Sequence, residues 1–518
     1  MIDFSRIVSD PVLSCVFLTH DDNELLDPTG AARVFLRSID RHGTPTPVPR
    51  IFRETPDIAS ELSSIYRRNP THFRKHQEYV SWSEQFLPKI GSQGATFPLE
   101  ELVSSYRTSY SLARRSIHVT PLFKAARDLL IRMIRACVDR FGYPQPSARC
   151  GTIGTAAALP TMGHKGDFLA ETVGFHRWRH PTPILPGERN MRRKHRCINQ
   201  AATSDVRYIE GILDSVRRWL AKYLPDWFGA WSNPTEIVNP TLSTGSGRLF
   251  FVETDFHHCD ESFSLAEIQE LVLPVYEVLV PDHMEFMRFA NAVEELFEVP
   301  VYFGDFLLTG LHNAFSGQNI VSDFETIYDV ELMLLGALAC SDMSQCLVHL
   351  CLGDDIIAGF RTERASRIAF DAIVHHAQYA GQMFEMEKCG VGHQHPHFLK
   401  RLYYPGLPSN DSVQAGAYPG VLAWNSIFQP ERFQKRTVDQ FVAYLMRCDN
   451  MYGSPYFAEE TIGTAKFLDK AYCKFTQSDL ESANVSDWWS RLYGITWSYR
   501  NSRSLQLLCQ QKLISIKS

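Results

Sequence analysis

Three acidic residues stand where short apolar runs end. Asp255 follows a run that begins at Leu249, and Asp354 and Asp355 lie between two further apolar runs. Two divalent ions held about 3.5–4 Å apart can activate a hydroxyl and stabilise a leaving pyrophosphate. Such ions prefer carboxylate oxygens, and clustered aspartates tolerate one another only when a cation neutralises them. If the fold brings these segments together, they form a metal site at one edge of a sheet.

Each acidic motif alone also has an ordinary structural interpretation. Gly353-Asp354-Asp355 is an acceptable turn sequence, and the pair Asp255 and Asp260 carries still less information. The catalytic interpretation therefore depends on the order and spacing of these motifs in the chain.

The flanking sequence predicts the elements that would position these acids. The continuous apolar run over 249–255 is typical of a buried strand that emerges at Asp255. Residues 346–352 and 355–360 predict a hairpin with two carboxylates at its tip. Apolar residues of 319–335 recur with a helical period. The opposite stripe of that helix carries Ser322, Glu325, Thr326 and Asp329.

The composition is that of an ordinary globular protein. The chain has 518 residues, of which 44% are hydrophobic and 21% charged, so disordered and fibrous classes are excluded. With 52 Lys and Arg against 58 Asp and Glu, the net charge is −6. This balance argues against a surface coated in basic charge, but not against an internal basic channel.

Targeting signals and redox features predict an intracellular setting. The 12 cysteines form no Cys-x-x-Cys pair, which is typical of reduced thiols. The N-terminus carries no signal-peptide pattern, and no window of about 18 uncharged apolar residues is present. We therefore expect no membrane span.

Two groups of residues have competing interpretations. The basic run 189–196 is usually a solvated face, but Lys194 and Arg196 could hold triphosphate oxygens. Three histidines at 393, 395 and 397, with Cys389 nearby, could form a zinc cluster. We expect the histidines of the extended stretch around Pro396 to point to both sides of the chain, and therefore to be satisfied or solvent-facing instead.

Taken in order, these motifs resemble those of viral RNA-dependent RNA polymerases, most closely the enzymes of small double-stranded RNA viruses of the partitivirus and picobirnavirus type. The similarity spans about Gly151–Gly406. The matching segments are 192–198 (basic fingers motif), 255–260 (first palm motif), Ser316-Gly317 with the following helix (template and sugar motif), 352–355 (palm hairpin), 387–389 (motif with a general-acid lysine) and 398–401 (primer grip).

The resemblance implies an α+β right-hand fold with fingers, a palm built on an antiparallel sheet, and a helical thumb. The implied division is an N-terminal region with fingertips (1–150), fingers (151–244), first part of the palm (245–265), a fingers insertion (266–308), second part of the palm (309–402) and thumb (403–518).

It also implies site residues and partners. Asp255, Asp354 and Asp355 would bind two Mg²⁺ or Mn²⁺ ions. Lys388 would act as general acid, although an exposed structural lysine is an equally good interpretation of it. The implied nucleotide-binding residues are Lys194, Arg196, Asp260, Ser316, Gly317, Thr326 and Asp329. The expected partners are RNA template and product, ribonucleoside triphosphates and a viral capsid protein, with the protein located in the virion interior and the host cytoplasm.

One departure concerns sugar recognition. Where the family usually has Thr and then Asn on the helix, this chain has Val321 and, depending on alignment, Glu325 or Asp329. Thr326 and Asp329 are the candidates for contacting the ribose 2′-hydroxyl, which distinguishes RNA from DNA. Two alternatives therefore stay open: a nonenzymatic RNA-binding or capsid-associated protein, and a polymerase of the reverse-transcriptase type.

Overall fold

The structure is a computed structural model. It describes residues 9–17, 48–91, 99–145, 184–191, 194–200, 203–231, 237–257, 259–302, 306–315, 318, 320–410, 413–414, 416–430, 434, 436–472, 474–483 and 498–517.

The architecture is mixed α and β, as predicted. The helices are α1 (Ile58–Arg67), α2 (Pro70–Lys75), α3 (Gln77–Glu84), α4 (Leu99–Leu112), α5 (Pro121–Phe141), α6 (Thr203–Tyr223), α7 (Pro225–Phe228), α8 (Val238–Gly245), α9 (Cys259–Ser262), α10 (Leu265–Glu267), α11 (Leu273–Leu279), α12 (His283–Glu295), α13 (Val321–Ala339), α14 (Glu363–Ala380), α15 (Gly420–Phe428), α16 (Thr437–Asp449), α17 (Phe457–Ala465), α18 (Gln477–Glu481) and α19 (Arg503–Gln510). The strands are β1 (Ser14–Phe17), β2 (Leu185–Met191), β3 (Lys194–Gln200), β4 (Phe250–Thr254), β5 (Val301–Tyr302), β6 (Phe306–Thr309), β7 (Cys346–Leu352), β8 (Asp355–Phe360), β9 (Gly390–His393), β10 (His397–Phe398), β11 (Arg401–Leu402), β12 (Ser409–Asn410), β13 (Val413–Gln414), β14 (Lys474–Thr476) and β15 (Ser515–Lys517).

A four-stranded antiparallel sheet forms the centre of the palm, in the order β7-β8-β4-β9. The predicted hairpin is confirmed residue for residue, because β7 and β8 have the bounds that the apolar runs indicate. Leu352 pairs with Asp355, so the connecting turn is Gly353-Asp354. Gly353 adopts a positive φ of 61°, a conformation that glycine reaches without the steric cost of a side chain.

Helix α13 packs against the sheet and is buried on almost every face. Its apolar residues enter the largest core together with those of α5 and α14. The helix predicted for 319–335 is confirmed, with observed bounds that are slightly later at both ends. Most of its polar stripe is buried too: Glu325, Thr326 and Asp329 are almost inaccessible to solvent, whereas Ser322 is exposed. A buried polar group needs a partner inside the protein, and the partner of Thr326 lies at the site described below.

Two large cores divide the chain. The first contains residues of α4, α5, α6, α11 to α14 and the inner face of the palm sheet. The second, the thumb-side core, contains Ile51 and residues of α1 and α3 together with residues of α15, α16 and α19. The N-terminal segment is thus shared between the palm side and the thumb side. The domain boundaries given above stay predictions.

Among the described residues, no helix combines the length and the apolar character needed to cross a membrane.

Candidate active site

The three aspartates meet at one end of the palm sheet. In the β4–β8 pairing, Thr254 lies opposite Ile356. Asp255 therefore leaves β4 beside the start of β8, where Asp355 stands, and Asp354 forms the tip of the adjoining turn. The convergence of Asp255 with Asp354 and Asp355 is the geometry on which the predicted metal site depends.

The electrostatics of this end of the sheet are unfavourable without a cation. The surface of Asp355 stays open to solvent at the hairpin tip. Protein atoms nevertheless crowd its other sides, and this loss of hydration, followed by repulsion from Asp354, Asp255 and Glu253, raises the pKa of Asp355. Like charges this close favour a bound cation or a bound proton.

Two lysines oppose this negative charge. The Lys388 Nζ lies 3.6 Å from the Asp255 Oδ1 and donates a hydrogen bond to Glu385. Partial burial lowers the pKa of Lys388, but the Glu385 hydrogen bond and the charge of Asp255 outweigh it, so the net shift is upward. The positive charge of Lys400 acts on Asp355 and lowers its pKa.

The position of Lys400 depends on a strained backbone. Leu399 and Lys400 have φ angles of 50° and 60°, in the left-handed region that side chains disfavour. Each such residue costs on the order of 1–2 kcal/mol, which the surrounding structure must supply. The sequence places Lys400 within the predicted primer grip but carries no signal for its approach to Asp355.

Helix α13 contacts and supports the palm hairpin through Thr326. Its hydroxyl accepts a hydrogen bond from the Gly353 N–H at 2.8 Å and donates one to the Ser322 carbonyl at 2.6 Å. Thr326 is fully buried. The buried N–H of Gly353 in the tight turn thus has its hydrogen-bond acceptor on helix α13. This contact fixes the position of the hairpin tip relative to the helix.

Asp329 lies one turn further along α13, behind the hairpin. It is fully buried, and neither carboxylate oxygen has a hydrogen-bond partner among the described residues. Burial, followed by repulsion from Asp354 and Asp355, raises its pKa well above the ordinary value. Ribose recognition by Thr326 and Asp329 stays a prediction.

The structure describes the other predicted nucleotide-binding residues only in part. Ser316 and Gly317 lie outside the described residues. Lys194 and Arg196 belong to β3, which pairs with β2, and Asp260 belongs to α9 just after β4. The side chains of these three residues lie outside the described part of the chain.

Two of the three clustered histidines behave differently from the prediction. His393 ends β9 and His397 begins β10, and both face Glu253 of β4. Their ligand atoms and that of Glu253 lie within 4.8 Å of one another, so the expected divergence is wrong for this pair. Residues two or four apart in an extended stretch lie on the same face. His395 instead pairs with Glu78. Sequence reasoning missed Glu253 because a single acid in an apolar strand has no distinctive spacing.

A palm sheet with a carboxylate hairpin, backed by long helices and flanked by a helical thumb, is the right-hand fold of viral RNA-dependent RNA polymerases. No protein-family model and no curated protein sequence matches this chain.

Two solved structures have this architecture. The crystal structure of the RNA-dependent RNA polymerase of a human picobirnavirus is similar with a TM-score of 0.76 and 14% identity, over 96% of this chain and 100% of that chain. An insertion-loop deletion mutant of that polymerase is similar with a TM-score of 0.69, at the same identity and coverage. The likeness confirms the predicted right-hand fold and the picobirnavirus resemblance. The partitivirus part stays a prediction.

Proposed function

We propose that this protein is an RNA-dependent RNA polymerase, which transfers nucleotides from ribonucleoside triphosphates to a growing strand on an RNA template. Its role would be transcription and replication of a viral RNA genome. The observation that carries this proposal is the meeting of Asp255 with Asp354 and Asp355 at one end of the palm sheet.

The donor set fits divalent magnesium, or manganese in its place. Three carboxylates supply hard oxygen ligands, and their mutual repulsion is relieved by a cation. Asp255 and Asp354 would hold two ions, with Asp355 assisting. When bound, such ions lower the pKa of a primer 3′-hydroxyl and stabilise charge on the transferred phosphate.

Other residues would bind the nucleotide and move a proton. Lys388 has a raised pKa and stays an ammonium at neutral pH, so it has a proton to give to the departing pyrophosphate. Lys194 and Arg196 would hold the triphosphate, because both side-chain types suit phosphate oxygens. Ser316 and Gly317 would approach the template and nucleotide closely.

The test is incorporation of labelled ribonucleotides on an RNA template. Asp354→Asn should reduce the rate at least about 1,000-fold, which corresponds to about 4 kcal/mol of activation free energy. Asp342→Asn is the matched control, because Asp342 caps the turn before β7 at the opposite end of that strand. Full activity of the Asp354→Asn protein would remove the assignment.

The same assay separates the alternatives. A reverse-transcriptase-like enzyme would incorporate deoxynucleotides at least as well as ribonucleotides. A nonenzymatic protein would bind RNA without Mg²⁺ and turn over no nucleotide. We further propose location in the virion interior and the host cytoplasm, with a capsid protein as a partner, which co-sedimentation with particles would test.

A further inference from the structure

A second group of ligand-type side chains lies beside the proposed active site. Glu253 stands on β4, two residues before Asp255. His393 and His397 reach it from the end of β9 and the start of β10. One ligand atom from each of the three lies within 4.8 Å of the others. The group therefore joins three neighbouring strands at one point.

The spacing of the ligand atoms suits a small tetrahedral ion. The His393 Nε2 lies 3.5 Å from the Glu253 Oε1, and the His397 Nδ1 lies 3.2 Å from the Glu253 Oε2. Zinc bonds of about 2.0–2.1 Å in tetrahedral geometry place ligand atoms about 3.3 Å apart. The two contacts go to different oxygens of Glu253, so binding of the ion needs the three ligand atoms, which lie within 4.8 Å of one another, to draw slightly closer together.

The hydrogen bonds of His393 leave the correct nitrogen available. Its Nδ1 lies 3.0 Å from the His395 carbonyl oxygen, which only accepts, so the Nδ1 carries the proton. The Nε2 then presents its lone pair. That atom is buried and has no hydrogen-bond partner within the described part of the chain. A ring nitrogen held by a backbone carbonyl is the usual arrangement of a zinc-binding histidine.

The backbone leaves room for this arrangement. A Cβ atom on Gly390 would lie 2.7 Å from the His393 Nε2 and 3.6 Å from the Glu253 Oε2. Any larger residue at position 390 would push the ligand ring away. Glu253 is also held in place, because it accepts a hydrogen bond from the His397 backbone N–H.

The surroundings connect this group to the thumb-side core. The Trp82 ring of α3 stacks on the His397 ring, with centroids 5.7 Å apart and planes at 22°. Trp82 belongs to the second core, which contains the thumb helices. An ion at Glu253 would therefore fix the corner at which the palm sheet meets the N-terminal helices.

We propose that Glu253, His393 and His397 form a zinc site, with water as the fourth ligand, separate from the magnesium site of the aspartates. Two imidazole nitrogens and one carboxylate favour Zn²⁺ over Mg²⁺, which prefers oxygen ligands throughout. This proposal does not depend on the proposed polymerase function, since it concerns different ligands and a different metal.

The experiment titrates the metal-stripped full-length protein with Co²⁺ and Zn²⁺. Co²⁺ replaces Zn²⁺ in such sites and gives visible d–d absorption that reports tetrahedral coordination. The wild type should bind one equivalent of Co²⁺ in tetrahedral coordination, gain this absorption and show a rise in Tm. Glu253→Gln, His393→Ala and His397→Ala should each weaken binding about 100-fold or more, since loss of an outer partner alone costs about 10- to 100-fold.

Two variants serve as controls. His395→Ala keeps the carbonyl that orients His393 and removes only a side chain paired with Glu78. Asp354→Asn removes a ligand of the magnesium site. Both should gain the tetrahedral Co²⁺ absorption as the wild type does, and the Tm of each metal-free variant shows whether it is folded.

Two results would overturn the zinc site. One is a wild type without tetrahedral Co²⁺ absorption. The other is a set of folded ligand variants that bind as tightly as the wild type.

Discussion

Carboxylates in the thumb-side core and at the palm hairpin are stabilised in opposite ways. Glu460 of α17 is fully buried, and its Oε1 accepts hydrogen bonds from the Tyr66 hydroxyl at 2.8 Å and the Tyr79 hydroxyl at 2.9 Å. Burial nevertheless raises the pKa of Glu460 to about 7. At the hairpin, Asp355 faces two further aspartates and stays at the surface.

The difference shows what each region is built to do. In the thumb-side core, two tyrosine hydroxyls of the N-terminal segment donate to one oxygen of Glu460 and tie two distant parts of the chain together. At the hairpin, the chain keeps aspartates that repel one another, although apolar or amide residues in their place would remove this repulsion. Retained like-charge repulsion at a solvent-accessible edge is typical of a site that binds a cation.

The largest expected effect is on nucleotide incorporation, which should depend on the aspartate site and not on Glu460. Asp255→Asn should abolish nucleotide incorporation, at least about 1,000-fold or about 4 kcal/mol, because a metal ligand is lost. Its Tm should stay equal or rise, because repulsion is relieved. Glu460→Gln should leave incorporation within a few-fold of the wild type. Rate and Tm measured for both variants check this, and the reverse pattern would contradict the comparison.

A third buried acid, Asp323, is stabilised in another way, by a full ion pair. Asp323 of α13 is buried and accepts two hydrogen bonds of 2.8 Å from Arg217 of α6. Arg217→Ala leaves that carboxylate without its cation, so unfolding by urea should show a loss of about 3–5 kcal/mol. Arg218→Ala, which breaks an exposed pair with Asp214, should cost less than about 1 kcal/mol. Equal losses of unfolding free energy in the two variants would show that burial does not determine how much these ion pairs contribute to stability.

The pH dependence of stability tests Glu460 directly. Its pKa is raised from 4.5 to about 7 in the folded chain, so the folded state keeps the proton that the unfolded state releases. Stability from this group is fully present below pH 4.5 and is lost as pH rises through 7, by about 3 kcal/mol in all. Between pH 4.5 and 8, the wild type should lose that much more stability than Glu460→Gln. Parallel pH profiles would refute the assignment.

The smallest effect concerns the support of the hairpin. Thr326→Val leaves the buried Gly353 N–H without an acceptor and should lower stability by about 1–3 kcal/mol. Thr326→Ser should restore most of it. Because this hydroxyl is committed to the hairpin, we expect incorporation of ribo- and deoxynucleotides to fall in parallel. A change in the ratio of the two rates would instead support the predicted ribose contact.

The palm could be predicted from the sequence, because its signals are local. The apolar runs and the turn at Gly353 define β7 and β8, and the helical period defines α13. The meeting of Asp255 with the hairpin depends on a strand pairing that the family resemblance implies but that no local pattern dictates.

The parts that could not be predicted depend on contacts between distant segments. Tyr66 and Tyr79 meet Glu460 across most of the chain, and nothing in either segment specifies the other. Glu253 is similar, because its role becomes visible only when β9 and β10 bring His393 and His397 to it.

The most direct test of the polymerase proposal is an experimental structure of the full chain with RNA, a nonhydrolysable ribonucleoside triphosphate and Mn²⁺, with manganese located by its anomalous scattering. The proposal predicts two manganese peaks about 3.5–4 Å apart, bound by Asp255 and Asp354 and bridged to the nucleotide phosphates. Nucleotide and manganese bound elsewhere, with no manganese at these aspartates, would contradict it.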